Sequence, residues 1–137
     1  MGMKVLESLK DVGATYEVID CDPSFADTAE FCSHYGYSLD ESANAILLEG
    51  KAESPIYALC VVLATTRINV NKVARKRLGT RKASFASAEV TKSLTGMEIG
   101  GVTPVGLPDD LPIWIDNLVM EAPKVIIGAG SRDAKIY

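Results

Sequence analysis

Gly100–Asp116, GGVTPVGLPDDLPIWID, is the stretch whose reading decides the fold. Gly100, Gly101 and Gly106 are interleaved with Pro104, Pro108 and Pro112. The glycine pair lets the backbone reach φ > 0, or lets another group approach where a Cβ would clash. Each proline fixes φ and removes a backbone donor, so no regular helix or strand interior is expected before Ile113. Ile113–Ile115 then reads as a short strand ending on the carboxylate of Asp116. Ordering such a loop costs entropy, and ordered loops often border binding surfaces. A rigid turn between elements is the plainer alternative.

Working outward, Ser87 caps a helix with Glu89 in its first turn, which buries Val90 and Leu94 and ends near Gly96. Past the loop come a helical turn at Asn117–Met120 and a strand at Lys124–Ile127. Gly128-Ala129-Gly130-Ser131 breaks that strand, and Asp133–Tyr137 begins a last β element. Tyr57–Ala64, YALCVVLA, is the strongest apolar run and reads as a central strand with Cys60 in the core. Ala45–Leu48 precedes it, turned by Glu49-Gly50-Lys51, and the two strands predict a hairpin.

Near the start, Val5, Leu6, Leu9 and Val12 recur at helical spacing over residues 3–12, with Gly13 as the stop. Tyr16–Asp20 is a short strand broken by Cys21-Asp22-Pro23-Ser24. A second helix starts at Asp27 or Thr28 with Asp27 as its cap, turns Ala29, Phe31, Cys32 and Tyr35 inward, and stops at Gly36. After the central strand, Asn69 or Asn71 caps a helix burying Val73, Ala74 and Leu78 and ending at Gly79, and Ala83–Ala86 is a further short strand. Short strands alternating with helical segments indicate one mixed α/β, α+β-like domain over residues 1–137.

Hydrophobic residues at 47% and charged residues at 23% are those of a globular chain with one core. A net charge of −4 argues against a general nucleic-acid coat but leaves room for a local basic face. Lys72, Arg75, Lys76, Arg77, Arg81 and Lys82 supply one; it reads either as a solvated helix face or as a phosphate contact. No run of about 18 apolar residues occurs, so no membrane span is expected. MGMKVLESLK lacks the long apolar segment of a secretory signal. Cys21, Cys32 and Cys60 are odd in number and show no CxxC spacing; with only His34 beside them they form no structural zinc set. Free thiols in the cytoplasm are the expectation.

No P-loop, dinucleotide fingerprint or HExxH is present. Gly100-Gly101 and Gly128–Ser131 can both expose backbone N–H groups, the donors that stabilise an oxyanion on a carbonyl. Asp116 could orient a water or amine, or cap the turn that follows it. Arg132 could hold a phosphate or carboxylate, or be surface charge. His34 reads as solvated or locally hydrogen-bonded, because a general base would need a nucleophile and an orienting carboxylate.

Gly100, Gly101, Val102, Thr103, Pro104, Gly106, Leu111, Pro112 and Asp116 match, in register, the signature loop of the YbaK/ProX family, free-standing relatives of the editing domain of bacterial prolyl-tRNA synthetase. Asp27-Thr28-Ala29-Glu30 resembles that family's Thr-Ala/Val-Glu helix start. Arg67-Ile68-Asn69-Val70-Asn71-Lys72-Val73 resembles its basic entry into the helix after the central strand, and Gly130-Ser131-Arg132 its late Gly-x-Arg turn. The resemblance runs from Thr15 to the end of the chain.

The resemblance implies a compact domain with a highly twisted, partly closed mixed β-sheet flanked by helices. It implies hydrolysis of the ester of a mischarged aminoacyl-tRNA, of tRNA(Pro) or a related tRNA, with no metal or organic cofactor. The partners implied are tRNA and, as a further candidate, an aminoacyl-tRNA synthetase; the chain would act as a monomer or homodimer. By similarity, the catalytic set is Gly100, Gly101 and Asp116, and the 3′-terminal adenosine and aminoacyl group would sit beside Gly100-Gly101, whose N–H groups face the ester carbonyl. Water or a substrate hydroxyl would attack, with no covalent enzyme intermediate. Substrate would be bound by Asp27, Thr28, Asn44, Thr103, Pro104, Gly130, Ser131 and Arg132, and the tRNA by Arg67, Lys72, Arg75 and Lys76.

One position departs from the pattern. The family carries a lysine in an Ala-Lys-Thr-hydrophobic context, and that place is Asn44 in SANAILLE. A neutral amide replaces a point charge. Two alternatives to the deacylase follow: a tRNA- or synthetase-binding module of the same fold without turnover, and a hydrolase of an unrelated small acyl ester. No serine elbow or Cys-His pairing favours the latter.

Overall fold

The apolar runs on either side of residues 52–55 fold as the expected antiparallel hairpin. β2 (Ala43–Lys51) pairs with β3 (Ile56–Leu63), placing Asn44 opposite Val62 and Ile46 opposite Cys60. The computed structural model describes residues 3–137, the side chains of Met3 and Asn71 excepted. Glu49-Gly50-Lys51 pairs where a turn was expected, and β2 runs through it. The structure packs Gly50 where a Cβ would lie 2.9 Å from Thr80 Oγ1 and 3.2 Å from Leu78 Cβ, so the glycine serves close packing.

Of the remaining elements, β4 (Lys82–Phe85) joins β2 along Leu48–Lys51, and β5 (Ile113–Ile115) lies parallel to β3, giving the order β4-β2-β3-β5. β1 (Val18–Asp20), β6 (Ile127–Gly128) and β7 (Ala134–Ile136) form a second, antiparallel sheet in the order β1-β7-β6. One parallel bridge, Ser42 to Ile126, links the two sheets. The architecture is therefore α+β with a mixed sheet that stays open. The expected partial closure does not occur, because among the described residues β4 and β5 remain edge strands with no second partner. The strand expected at Lys124–Ile127 begins only at Ile127, since Ile126 is spent on the bridge.

Side chains alternate across the four-stranded sheet. Leu47 and Leu59 face a core completed by Val5 and Leu9 of α1 (Met3–Asp11) and by Met97, Val102, Ala129, Ala134 and Ile136. On the other face, Leu48 and Ala58 lie beneath Ala74 and Leu78. These two come from a π-helical turn, Val70–Ala74, and the short α3 (Arg75–Leu78). Burial on both faces explains why β3 is apolar almost throughout.

The helix caps divide into two kinds. Asn69 Oδ1 accepts from Lys72 N at 3.0 Å and Ser87 Oγ from Val90 N at 3.2 Å, as the sequence predicts. Asp27 and Asp116 occupy the cap positions of α2 (Thr28–Tyr35) and α5 (Asn117–Glu121), yet neither side chain accepts a helix N–H.

Several inward assignments are corrected. Val12, Val73 and Leu94 point to solvent, and Ala29 is exposed while Phe31 and Cys32 are buried. Helices of one or two turns have room for only a narrow buried stripe. In α2 that stripe is fixed by Phe31, which stacks on Tyr37 at 5.5 Å between ring centres. In α4 (Ala88–Thr95) it is Thr91 and Thr95 that are buried, and the Thr95 hydroxyl donates to Thr91 O at 2.6 Å. Cys60 is half-buried at a cavity wall, not sealed in the core. Its burial, with the charge of Asp116 nearby, raises the thiol's pKa.

Candidate functional site

β4 pairs only with the far end of β2, so the Asn44–Ile46 edge is left uncovered. A cleft of about 180 Å³ lies along that edge, between it and the loop at Ile99, Gly100 and Val102. Asp27 and Thr28 stand at one side, and Gly128 and Lys135 also line it.

The loop wall is made of backbone pressed on backbone. A Cβ at Gly101 would lie 2.8 Å from Ser131 N, and one at Gly128 would lie 2.7 Å from Gly101 C. Gly130 N donates to Gly101 O at 2.7 Å. The two glycine-rich stretches of the sequence are thus one unit, Gly101 stacked on Gly128–Ser131. Gly101 N–H is spent on Glu98 O at 2.8 Å, which forms the turn. Gly100, at φ 93°, makes no such backbone bond. Its N–H and that of Val102, both at the cleft, have no backbone acceptor among the described residues.

Two cations from the C-terminal segment fasten the loop to the Pro23–Asp27 segment. Arg132 Nη1 donates to Ile99 O at 2.7 Å and to Asp27 Oδ1 at 3.3 Å, while Nη2 and Nε donate to Pro23 O at 2.9 and 3.2 Å. Lys135 Nζ donates to Gly100 O and to Ala26 O, each at 2.6 Å. Lys135 is only 6% exposed, and burial lowers its pKa below that of a free lysine. Two of the three ammonium protons are spent on carbonyls, and the third remains.

Across the cleft, the Thr28 hydroxyl donates to Asn44 Oδ1, so Asn44 Nδ2 is left as a donor. This contact ties Thr28 to the β2 edge of the cleft, and Asp27 Oδ1 accepts from Arg132 instead of capping α2.

Of the residues singled out from sequence, Asp27, Thr28, Asn44 and Gly100 line one cleft. Gly101, Gly130, Ser131 and Arg132 build and brace its wall. Thr103 is wholly buried with its hydroxyl unpartnered among the described residues, and Pro104 lies outside the cleft lining. Asp116 and Arg67 line a second, larger cavity of about 550 Å³ at β3 and β5. Lys72 and Lys76 are exposed on the basic band, and Arg75 is half-buried there. His34 is exposed and stacks on Phe25 at 4.0 Å, outside both cavities. Among the described residues no group of three His, Cys, Asp or Glu side chains could hold a metal ion, and no helix is long and apolar enough to cross a membrane.

Sequence reasoning missed Lys135. A charged residue in a terminal strand reads as solvent-facing. Only the pairing of β7 with both β1 and β6 shows that Ala134, Lys135 and Ile136 are all buried. Ile46 and Ile99, which also line the cleft, were legible only as apolar residues.

Known proteins share the sequence pattern and the fold. Residues 22–137 match the model of the aminoacyl-tRNA editing domain family. The uncharacterized protein YwhH of Bacillus subtilis (strain 168) is 29% identical over 120 residues, covering 88% of this chain and 74% of that protein. A proline–tRNA ligase of Brachyspira hyodysenteriae (strain ATCC 49526 / WA1) is 28% identical over 86 residues, which span 63% of this chain but 15% of the ligase. The crystal structure of hypothetical protein APE2540 superposes with a TM-score of 0.83 at 26% identity, over 97% of this chain and 86% of the other. That of a proposed trans-editing enzyme for prolyl tRNA synthetase gives 0.79 at 25% identity, over 97% and 82%. The signature loop, the fold and the matched span agree: this chain belongs to the aminoacyl-tRNA editing domain family, in its YbaK/ProX-like branch.

Proposed function

We propose that the protein hydrolyses the ester of mischarged aminoacyl-tRNA in trans, with the aminoacyl group held in the cleft between the Asn44–Ile46 edge and Gly100. The observation that carries this reading is the buried ammonium of Lys135, hydrogen-bonded to Gly100 O at the cleft wall. It restores a cation to a site whose family lysine is replaced by Asn44.

Ester hydrolysis needs a positioned carbonyl, donors for the developing oxyanion and a nucleophile. The Gly100 N–H and Asn44 Nδ2 are donors at hand, and the Lys135 charge stabilises negative charge developing near them. A water attacks the ester carbonyl, one of its protons passing to the departing ribose oxygen and the other to solvent. The ribose oxygen leaves with a proton, and the freed amino acid departs as the carboxylate. The small cleft suits a small amino-acid side chain. The basic band from Lys72 to Lys82, with Arg67, positions the acceptor stem through its phosphates.

A panel of mischarged tRNAs, beginning with tRNA(Pro) carrying small amino acids, tests the proposal. Ester loss above the spontaneous rate, abolished by Lys135→Met, is the expected result. Loss at the spontaneous rate with every member would overturn it. Asn44 favours a second reading, a binding module without turnover, and tRNA retention with no ester loss would select it.

A further inference from the structure

The open edge of β2 carries main-chain groups that the proposed chemistry leaves unused. In an antiparallel pair only alternate residues exchange hydrogen bonds with the partner strand, and those between them turn N–H and C=O the other way. The bond from Ala64 N to Ser42 O, 2.8 Å long, puts the even-numbered residues of β2 on the β3 side. The odd-numbered ones face away from β3: Ala43 N donates to Ile126 O at 2.9 Å, and Leu47 O accepts from Ala86 N at 2.9 Å. Ala45 stands midway between them and lines the cleft, so its N–H and its C=O both turn to the cleft side. Neither has a backbone partner among the described residues.

The gap has the length of one residue. Ile126 closes it at Ala43 and Ala86 closes it at Leu47, which leaves the single position opposite Ala45 for a further strand residue. In an antiparallel ladder a residue at such a position exchanges both bonds, its N–H donating to Ala45 O and its C=O accepting from Ala45 N. An aminoacyl group carries this same pair of functions on one carbon, with nitrogen and carbonyl carbon about 2.5 Å apart.

Charge directs the amine to the same bank. Among the described residues Asp27 is the only carboxylate lining the cleft, and Arg132 already holds its Oδ1. The buried ammonium of Lys135 lies on that side too, at Gly100 O and Ala26 O. Two cations against one carboxylate repel an incoming amine, whereas Ala45 O is a neutral acceptor with no partner. We infer that Ala45 binds the aminoacyl group as a one-residue antiparallel bridge, its C=O accepting from the α-amine and its N–H donating to the carbonyl oxygen. The inference rests on the deacylase reading above and narrows the substrate class to esters that carry an α-amine. A contact with main chain alone is the same for every amino acid small enough to enter.

Two probes separate the amine from the rest of the ligand: 3′-(L-alanylamino)-3′-deoxyadenosine, whose amide resists hydrolysis, and its 3′-propionylamino counterpart, which lacks only the α-amine. In the full chain the Ala45 amide should exchange its hydrogen fast, and saturation with the alanyl compound should slow that exchange at least about tenfold, read by nitrogen-15 NMR. The propionyl compound should bind at least about tenfold more weakly. Ala45→Pro deletes the N–H that faces the cleft and no bond of the β2–β3 ladder, so it should keep the hairpin and lose the alanyl compound. If that variant does not fold, the two wild-type measurements decide. No saturable binding of the alanyl compound, an Ala45 amide that exchanges as fast in its presence, or equal binding of the two compounds would each overturn the inference. Protection of Ala45 without ester loss from any mischarged tRNA keeps the bridge and sinks the activity, and ester loss with Ala45 unprotected does the reverse.

Discussion

At the scale of single residues, the proposed deacylation rests on Lys135 and Asn44. Removing Asn44 Nδ2 by Asn44→Ala takes away one donor of the proposed oxyanion site, and single-turnover deacylation should slow by about 10²-fold. Asn44→Lys places an ammonium on the same edge and should raise the rate by about tenfold; an unchanged rate would show that Lys135 already saturates the need for charge. The lowered pKa of Lys135 also has a thermodynamic signature. Between its folded value and the ordinary 10.5, the unfolded chain binds a proton that the folded chain has released. Stability therefore rises with pH across that window, and below it the cost of burying the charge is constant. Urea denaturation of wild type and Lys135→Met through the alkaline range checks this, since the variant should lack that part of the rise. Activity should move the opposite way, with an alkaline limb below the usual lysine range as the ammonium loses its proton.

At the scale of elements, the site is a joint between the signature loop and the β6–β7 connection. Gly101→Ala forces a Cβ into the Ser131 backbone, which cannot rotate aside. It should destabilise the fold by about 1–3 kcal/mol, read as a lower urea midpoint with unchanged slope. Gly101 thus acts first through packing, and its N–H, bound to Glu98 O, is not the donor that the sequence suggested. Much of this scale was legible beforehand. The hairpin, the Ser87 and Asn69 caps and the rigid character of Gly100–Asp116 follow from local patterns of apolar residues, side-chain acceptors and prolines. What escaped was contact between distant segments. Asp27 looks like a cap until Arg132, far along the chain, takes its carboxylate. Lys135 looks exposed until its strand is paired on both sides, and Asp116 looks like a neighbour of Gly100 until β5 carries it to another cavity.

Across the whole molecule, charge is segregated. A chain of net charge −4 carries six of its 14 lysines and arginines between Lys72 and Lys82. If this band holds the acceptor stem, replacing Lys72 and Lys76 with alanine should weaken tRNA binding in low salt. It should also reduce the slope of log affinity against log salt by about 1–2, as measured by filter binding. The single-turnover rate at saturating enzyme should stay the same, because neither lysine lines the cleft. The backbone wall has a consequence for the family's diversification. At Gly101 and Gly128 no side chain can be added without parting two main chains, so selection among amino acids has little raw material there. The opposite bank is different: Ala43, Asn44, Ala45 and Ile46 of β2 line the cleft and all but the backbone there can vary. That bank can be resized one methyl group at a time while the wall stays fixed, so under the proposed deacylase reading the size of the group admitted is set on one side of the cleft alone.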